Sequence, residues 1–438
     1  MVTLAQLSNN MIFVALSPIS IPLAKAFSLN TVLYVNFTII FQDLNSVIMT
    51  FASVWMYSRY STSGVLRLAV TIFFIGALLR ALCYQTHTFM PVVIGQIMSS
   101  ACNPFFINVQ SLIAEKWFGD NERALATSLQ TLAMPLGTAL SFAVTGTVFY
   151  DDIEDFRGQF EKLMVAQAIF VGLIFALFNI IIKENPAVPP SKVATVPHEH
   201  LHFSKAFRAL KENTNFLLLT LAFALPAGSF TTLGNLLSNL FDPFGYSQSE
   251  LSFICLQLLL AGVVGTILFG AIIDRTQKFK LSVYFITLTM CVATVITIWL
   301  LYYHPENKTG FVAMLTLVGF FCTAYIPLCI CFGAELTFPL QPALVNGTLG
   351  MIASGSGFLL SGVGALLNHE GKYDDQFEPD ELIMKRRQRA CTVMFMLAIT
   401  AALAFLIALF IDEDLKRIRY AEKAKEEERQ LAEDIVQG

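Results

Sequence analysis

The residue best placed to do chemistry in this chain is a lone carboxylate, Asp43, inside a long apolar stretch. Asn36, Asp43, Ser46, Thr50 and Ser53 recur at helical spacing and draw one polar stripe along it. Asp43 lies about ten residues from one end of the stretch, roughly 15 Å along a helix. A charge at that depth in a bilayer is costly and faces a cavity or a partner, so Asp43 can hold a small polar molecule or a proton. A second polar row, Gln96, Ser99, Asn103 and Gln110, offers amides, and Asn235 and Asn239 repeat it more weakly. These rows either bind a solute or hydrogen-bond neighbouring helices. A different chemistry sits in Gly270-Ala-Ile-Ile-Asp274-Arg275-Thr-Gln-Lys278-Phe-Lys280. There Gly270 allows a neighbouring backbone to come close, Asp274 can face a helix N-terminus, and Arg275 can pair with a carboxylate, Glu335 being the expected one.

No nucleophile–base pair lies inside the apolar stretches, and all six histidines fall outside them. The eight cysteines form no CxxC pair and read as packing thiols. His198, His200 and His202 alternate in a charged connection, which reads as a solvated linker rather than a metal site. No catalytic residue, metal or cofactor is therefore expected, and the chain does not read as an enzyme.

The elements that must position these groups follow from composition. Hydrophobic residues make up 55% of the 438, charged residues 14%, and mean hydropathy is +0.63. A soluble domain carries about 25% charged residues. This excludes a soluble enzyme, a nucleic-acid binder and a disordered chain, and a net charge of −4 is too small to imply a charged partner. The lipid bilayer is the implied surrounding, and no oligomer is required. Twelve stretches have the ~20 apolar residues a membrane helix needs: roughly 3–25, 33–57, 65–85, 88–113, 123–149, 162–183, 215–241, 249–272, 281–303, 310–333, 345–367 and 389–411, numbered here as segments 1 to 12. The longest connection, 184–214, divides them into a bundle over 1–183 and another over 215–411; residues 412–438 form a charged tail whose i, i+4 pairs, such as Asp412–Lys416, suit a solvated helix.

Segment 1 is too long for a signal-peptide core, lacks a basic start and is followed by Lys25. The chain starts almost inside it, which implies a very short leading tail or a truncated start. With both termini in the cytosol, eighteen Lys and Arg fall on the cytosolic side and nine outside, as the positive-inside rule asks. Asn307 then lies outside as a glycosylation acceptor, and Trp55, Trp117 and Trp299 mark helix ends. Prolines fall in segment 1 (Pro18, Pro22), segment 4 (Pro104), segment 7 (Pro226) and segment 10 (Pro327). These open four successive three-helix units, where bends line a transport path.

The Gly270–Lys280 stretch resembles the Gly-x-x-x-Asp-Arg-x-x-Lys/Arg signature of the major facilitator superfamily, found between helices 2–3 and 8–9. The first-half copy, Trp55 to Arg67, is degraded, with Ser58 at the acidic position. A closer resemblance is to the family of the feline leukaemia virus subgroup C receptor. It rests on Gly95-Gln96, Ala114 to Gly119, Pro135 to Thr138, Ala261 to Gly265, Asp274 to Lys280, Glu335 to Pro339, and Gly347. These cover about half the chain. The resemblance implies an all-α integral membrane protein with twelve transmembrane helices in two six-helix bundles, and a facilitator of small organic solutes such as choline or ethanolamine. Choline-carrying members use a tryptophan in helix 1, a tyrosine in helix 7 and glutamines in helices 5 and 11; those places hold Phe13, Thr231, Pro135 and Ser354, so the aromatic cage for a quaternary ammonium is mostly missing.

The expectation is a transporter of a small neutral, cationic or zwitterionic solute by alternating access, with Asp43, Gln96, Asn103, Phe13, Asn235 and Ser354 facing the solute. Asp274, Arg275, Glu335 and Gly270 would form the gate, and Asp43 is compatible with proton or cation coupling. Helix 11 carries Gly347, Gly350, Ser354, Gly357, Ser361 and Gly364 on one face, suited to helix sliding. The alternative is a non-transporting receptor or scaffold of the same fold. Plasma and endolysosomal membranes are both open.

Overall fold

A computed structural model describes residues 1–29, 31–118, 123–149, 155–184, 208, 210–337, 340, 342–368 and 379–414, at a few of these (Ser58 and Asp274 among them) by backbone alone. Among the described residues there is helix and no strand. In chain order the helices are α1 (Val2–Val14), α2 (Ser20–Ala26), α3 (Leu33–Arg59), α4 (Thr62–Ala81), α5 (Cys83–Thr86), α6 (Met90–Ala101), α7 (Asn103–Asn108), α8 (Gln110–Trp117), α9 (Arg123–Val148), α10 (Phe156–Ile181), α11 (Thr214–Asn235), α12 (Leu237–Phe241), α13 (Gln248–Thr276), α14 (Phe279–Tyr303), α15 (Lys308–Thr337), α16 (Pro342–Leu367) and α17 (Pro379–Leu409). Ten stretches among the described residues are long and apolar enough to cross a membrane. Of the two other expected spans, segment 1 is broken between α1 and α2. Segment 5 is the continuous 26-residue helix α9, whose described side chains include the apolar stretch Leu132–Val148. The histidines 198, 200 and 202, most of the linker, and the tail beyond Asp414 lie outside the described residues.

The prolines act in two ways, a correction to the expectation of four equivalent bends. Segment 1 breaks around Pro18 and segment 4 breaks just before Pro104, whereas α11 runs through Pro226 and α15 through Pro327. A proline frees the carbonyl four residues earlier. For Pro226 that is Ala222, and the hydroxyl of buried Tyr325 donates to it at 3.0 Å. The freed acceptor is satisfied by a neighbouring helix, so α11 continues.

Within the first half α1 packs on α9, and α4 on α6 and α10; within the second, α13 packs on α15, α11 on α16 and α17, and α14 on α15 and α17. The main contacts between halves are α3 with α16 and α9 with α13, and α2 also meets α12 and α3 meets α11. Where α4 meets α6, Gly76 and Gly95 face each other, and a Cβ on Gly76 would sit 2.9 Å from the Gly95 carbonyl. Without side chains the backbones pack directly, the association available in lipid, where no hydrophobic drive separates helices from solvent.

Helix ends are stapled locally. Ser247 and Glu250 form a capping box at the start of α13, and Lys308 reaches Glu250 at 2.9 Å. Asn307 is exposed and its Oδ1 accepts from the Gly310 amide.

Candidate functional site

The break in segment 1 is the first functional feature. Its last helical carbonyls accept mostly from outside the helix. Arg80 Nη1 donates to the Ile12 carbonyl at 3.2 Å, Gln96 Nε2 to the Phe13 carbonyl at 3.1 Å, and the Ser17 amide to the Val14 carbonyl at 3.1 Å. Gln96, expected to face the solute, is 1% exposed and spends its amide on this backbone. Asn103 is likewise buried, its Oδ1 accepting from Gln6 at 3.0 Å. These residues hold α1 against α4, α6 and α7. Phe13 itself is half-buried beside them.

Asp43 is placed differently. It is 6% exposed, and its Oδ2 accepts from Asn235 Nδ2 at 3.0 Å, joining α3 of the first half to α11 of the second. Asn235 also donates to Ser361 at 3.1 Å, and Ser361 donates to Thr232 at 3.1 Å, which brings in α16. The small face of α16 makes this possible: a Cβ on Gly357 would lie 3.2 Å from Thr231 and 3.5 Å from Asp43 Oδ2. Further toward the same end Ser17 donates to the Gly234 carbonyl and Ser20 to Asn239 Oδ1 at 3.1 Å. Hydrogen bonds therefore latch segments 1 and 2 to segment 7, which Ser361 ties to segment 11, at the end where segment 1 leads into segment 2 and segment 7 into segment 8. Asp43 and Asn235 come together as the centre of this latch, Ser354 lies half-buried one turn along α16 from Gly357, and Gln96 and Asn103 stay within the first half.

At the opposite end the arrangement reverses. Gly347 and Gly350 of α16 would meet nothing within 4 Å on gaining a Cβ, so the face that packs tightly at Gly357 opens here. Gly270 also meets nothing within 4 Å. The close approach expected at this motif glycine is not found among the described residues. Arg275 is exposed and Glu335 is 7% exposed, while the side chains of Asp274, Ser58 and the first two turns of α9 lie outside what is described.

This end has an ion cluster that the sequence reading missed. Glu184, just beyond α10, accepts from the Thr62 and Ser63 amides at 3.1 and 2.7 Å and pairs with Lys116 at 3.0 Å. A carboxylate on the first free amides of a helix satisfies orphan donors and the helix dipole together. Burial raises the Glu184 pKa, but the hydrogen bonds from Ser63 and Lys116 and the Lys116 charge outweigh it and hold it at about 2. The second half repeats the device: Glu413, beyond α17, accepts from the Lys280 amide at the start of α14 at 3.2 Å. Arg67 reaches the Ile182 carbonyl, and Tyr284 reaches the Leu409 carbonyl. The signal in the sequence was an acid one or two residues past segments 6 and 12.

A profile described as the Major Facilitator Superfamily matches residues 1–365. The chain belongs to the Major Facilitator Superfamily. Among curated relatives, this superfamily chain is 26% identical over 390 residues to the choline/ethanolamine transporter FLVCR2 of Rattus norvegicus, covering 85% of the chain and 66% of the relative. It is 27% identical over 325 residues to FLVCR2 of Homo sapiens, covering 70% and 59%. The chain thus spans about three fifths to two thirds of the length of these relatives. Among solved structures, an inward-facing, occupied bacterial homologue of the lysosomal transporter Spinster aligns with a TM-score of 0.74 at 13% identity over 94% of this chain and 96% of that one. A D-xylose–proton symporter aligns with 0.71 at 14% identity over 95% and 97%. Both show the fold.

Proposed function

We propose that this chain carries a small ammonium-bearing organic solute across a membrane by alternating access. The observation that supports it is the latch centred on Asp43, Asn235 and Ser361, whose Asp43–Asn235 bond joins the two halves; among the described residues, the hydrogen bonds between halves lie at this end. Such bonds exist in one arrangement of the halves and are lost in the other, so they bias a two-state equilibrium by their differential energy. An ammonium reaching Asp43 competes with Asn235 for the same oxygen and weakens the latch, coupling solute arrival to opening. Membership of the superfamily and the printed activity of the choline/ethanolamine relatives agree with this chemistry. The missing aromatic positions, Phe13 and Thr231 among them, favour a primary or hydrogen-bonding amine over a quaternary one.

In this reading twelve spans form two six-helix halves over 1–183 and 215–411, joined by the 184–214 linker and followed by the 412–438 tail. Both termini are cytoplasmic, which turns the latched end outward. Asp274, Arg275 and Glu335 then form the inner gate of the other state. The test is uptake and export profiling of amine metabolites in cells carrying wild-type or Asp43→Asn protein at matched expression. The expected result is at least one ammonium-bearing solute whose flux needs Asp43; identical profiles in wild-type, variant and empty cells would overturn the proposal.

A further inference from the structure

A cavity of about 280 Å³ opens at the latched end, above the Asp43 network. Its wall carries two cations, Lys25 of α2 and Arg386 of α17, the amides of Asn36, Asn239 and Asn368, and, among the described residues, no carboxylate. Both halves contribute. Arg386 has Asp242 at 3.6 Å, outside the wall, and Lys25 makes no ion pair among the described residues. Asn36 is 2% exposed, and its buried Oδ1 has no partner among the described residues. Asn239 already accepts through both oxygens, from Ser20 at Oδ1 and from Asn368 at the carbonyl, so what it offers the cavity is its amide N–H₂.

A wall of two cations and amide donors has the wrong sign for a simple organic cation and the right sign for an oxyanion. The volume equals about nine waters, enough for a small metabolite. Asn239 lies one turn from Asn235, about 6 Å, and Asn36 two turns from Asp43, about 10 Å.

We infer that this cavity binds a carboxylate or phosphate group of the transported solute, which makes that solute a zwitterion with its ammonium directed at Asp43. This rests on the transporter reading above. The oxyanion meets Lys25 and Arg386 first, and the ammonium end reaches the latch one to two turns further in. A lipid headgroup presents the same oxyanion chemistry, and the experiment separates the two sources.

The test uses the full chain in nanodiscs of zwitterionic lipid, reading the thermal unfolding midpoint against inorganic phosphate, acetate and choline chloride. A ligand that binds the folded state raises the midpoint in a saturable way. The expected result is protection by phosphate or acetate, with apparent affinity reduced about fivefold or more in Lys25→Gln and Arg386→Gln and restored in Lys25→Arg. Protection unchanged in both Gln variants, or no protection by either anion, would overturn the site. So would protection seen only when anionic lipid is added to the nanodisc, because the occupant would then be a headgroup. Loss of this anion binding with Asp43-dependent flux intact removes the cavity assignment alone. Intact anion binding with no Asp43-dependent flux removes the transporter reading instead.

Discussion

The two ends of the molecule use polar bonds in opposite ways. At the latched end they run between halves: Asp43 to Asn235, Ser17 to Gly234 and Ser20 to Asn239, partners 192 to 219 positions apart. At the other end the described staples run within a half, as Glu184 holds the start of α4 and Glu413 the start of α14. The staple geometry even repeats in register, since Arg67 and Tyr284 each lie five residues into their helix and each reach a carbonyl at the end of the half, Ile182 and Leu409. In the proposed alternating-access reading, the difference separates bonds that break when the halves move from bonds that keep each half rigid. The weaker first-half motif, with Ser58 in place of an acid, is not matched by a weaker first-half staple: Glu184 takes two amides and Lys116, whereas the bond described for Glu413 is one amide.

The comparison can be broken most severely at Asp43. Asp43→Ala removes a buried charge-assisted acceptor worth about 1.5–3 kcal/mol, so a cysteine placed beside Asn235 should label from the latched side at least tenfold faster, and solute flux should fall by a similar factor. Labelling equal to wild type would show that the latch does not hold this end. Next, Gly357→Val forces side-chain atoms onto Thr231 and Asp43, about 1–3 kcal/mol of overpacking, and should open the same end, while Gly270→Val should leave accessibility unchanged in this conformation because that site faces open space. A reversed order of effects would contradict the assignment of closed and open ends.

The inner gate offers a smaller effect. Asp274→Asn should increase labelling of an inner-vestibule cysteine severalfold, with Ser58→Ala close to wild type; a larger response at Ser58 would refute the asymmetry between the two motif copies. The smallest effect is in the staples. Glu184→Gln should cost about 1 kcal/mol, discounted for its partial exposure, and Glu413→Gln less, read from unfolding midpoints. The Glu184 pKa lies below its ordinary 4.5, at about 2. Its stabilisation is therefore present above about pH 4.5 and fades as pH falls toward 2. A wild-type advantage that persisted unchanged to pH 2.5 would mean Glu184 is not the group responsible.

Much of this was legible in the sequence because lipid imposes it. Segment positions follow from apolar length, and Asp43 stands out because a charge in that setting needs a reason. Gln96 and Asn103 looked the same as Asn235 by residue type and spacing, yet two of the three bind backbone or side chain within their own half. Nothing local distinguishes an amide that faces a path from one that caps a freed carbonyl. Pro226 likewise reads like Pro18, and only Tyr325, 99 positions away, explains why one helix continues and the other breaks.

The sequence by itself determined that this is a helical membrane chain, where most of its long apolar helices lie, and that one acid sits deep among them. Each of these depends on the free energy of a residue against its immediate surroundings, a property of composition and short-range spacing. Tertiary structure decided which polar groups meet: Asp43 with Asn235, Arg80 with the broken end of α1, Glu184 with the start of α4, and Lys25 with Arg386 around one cavity. Those pairings arise because each polar group withdrawn from water must find a partner, and the packing of distant helices selects which partner is within reach.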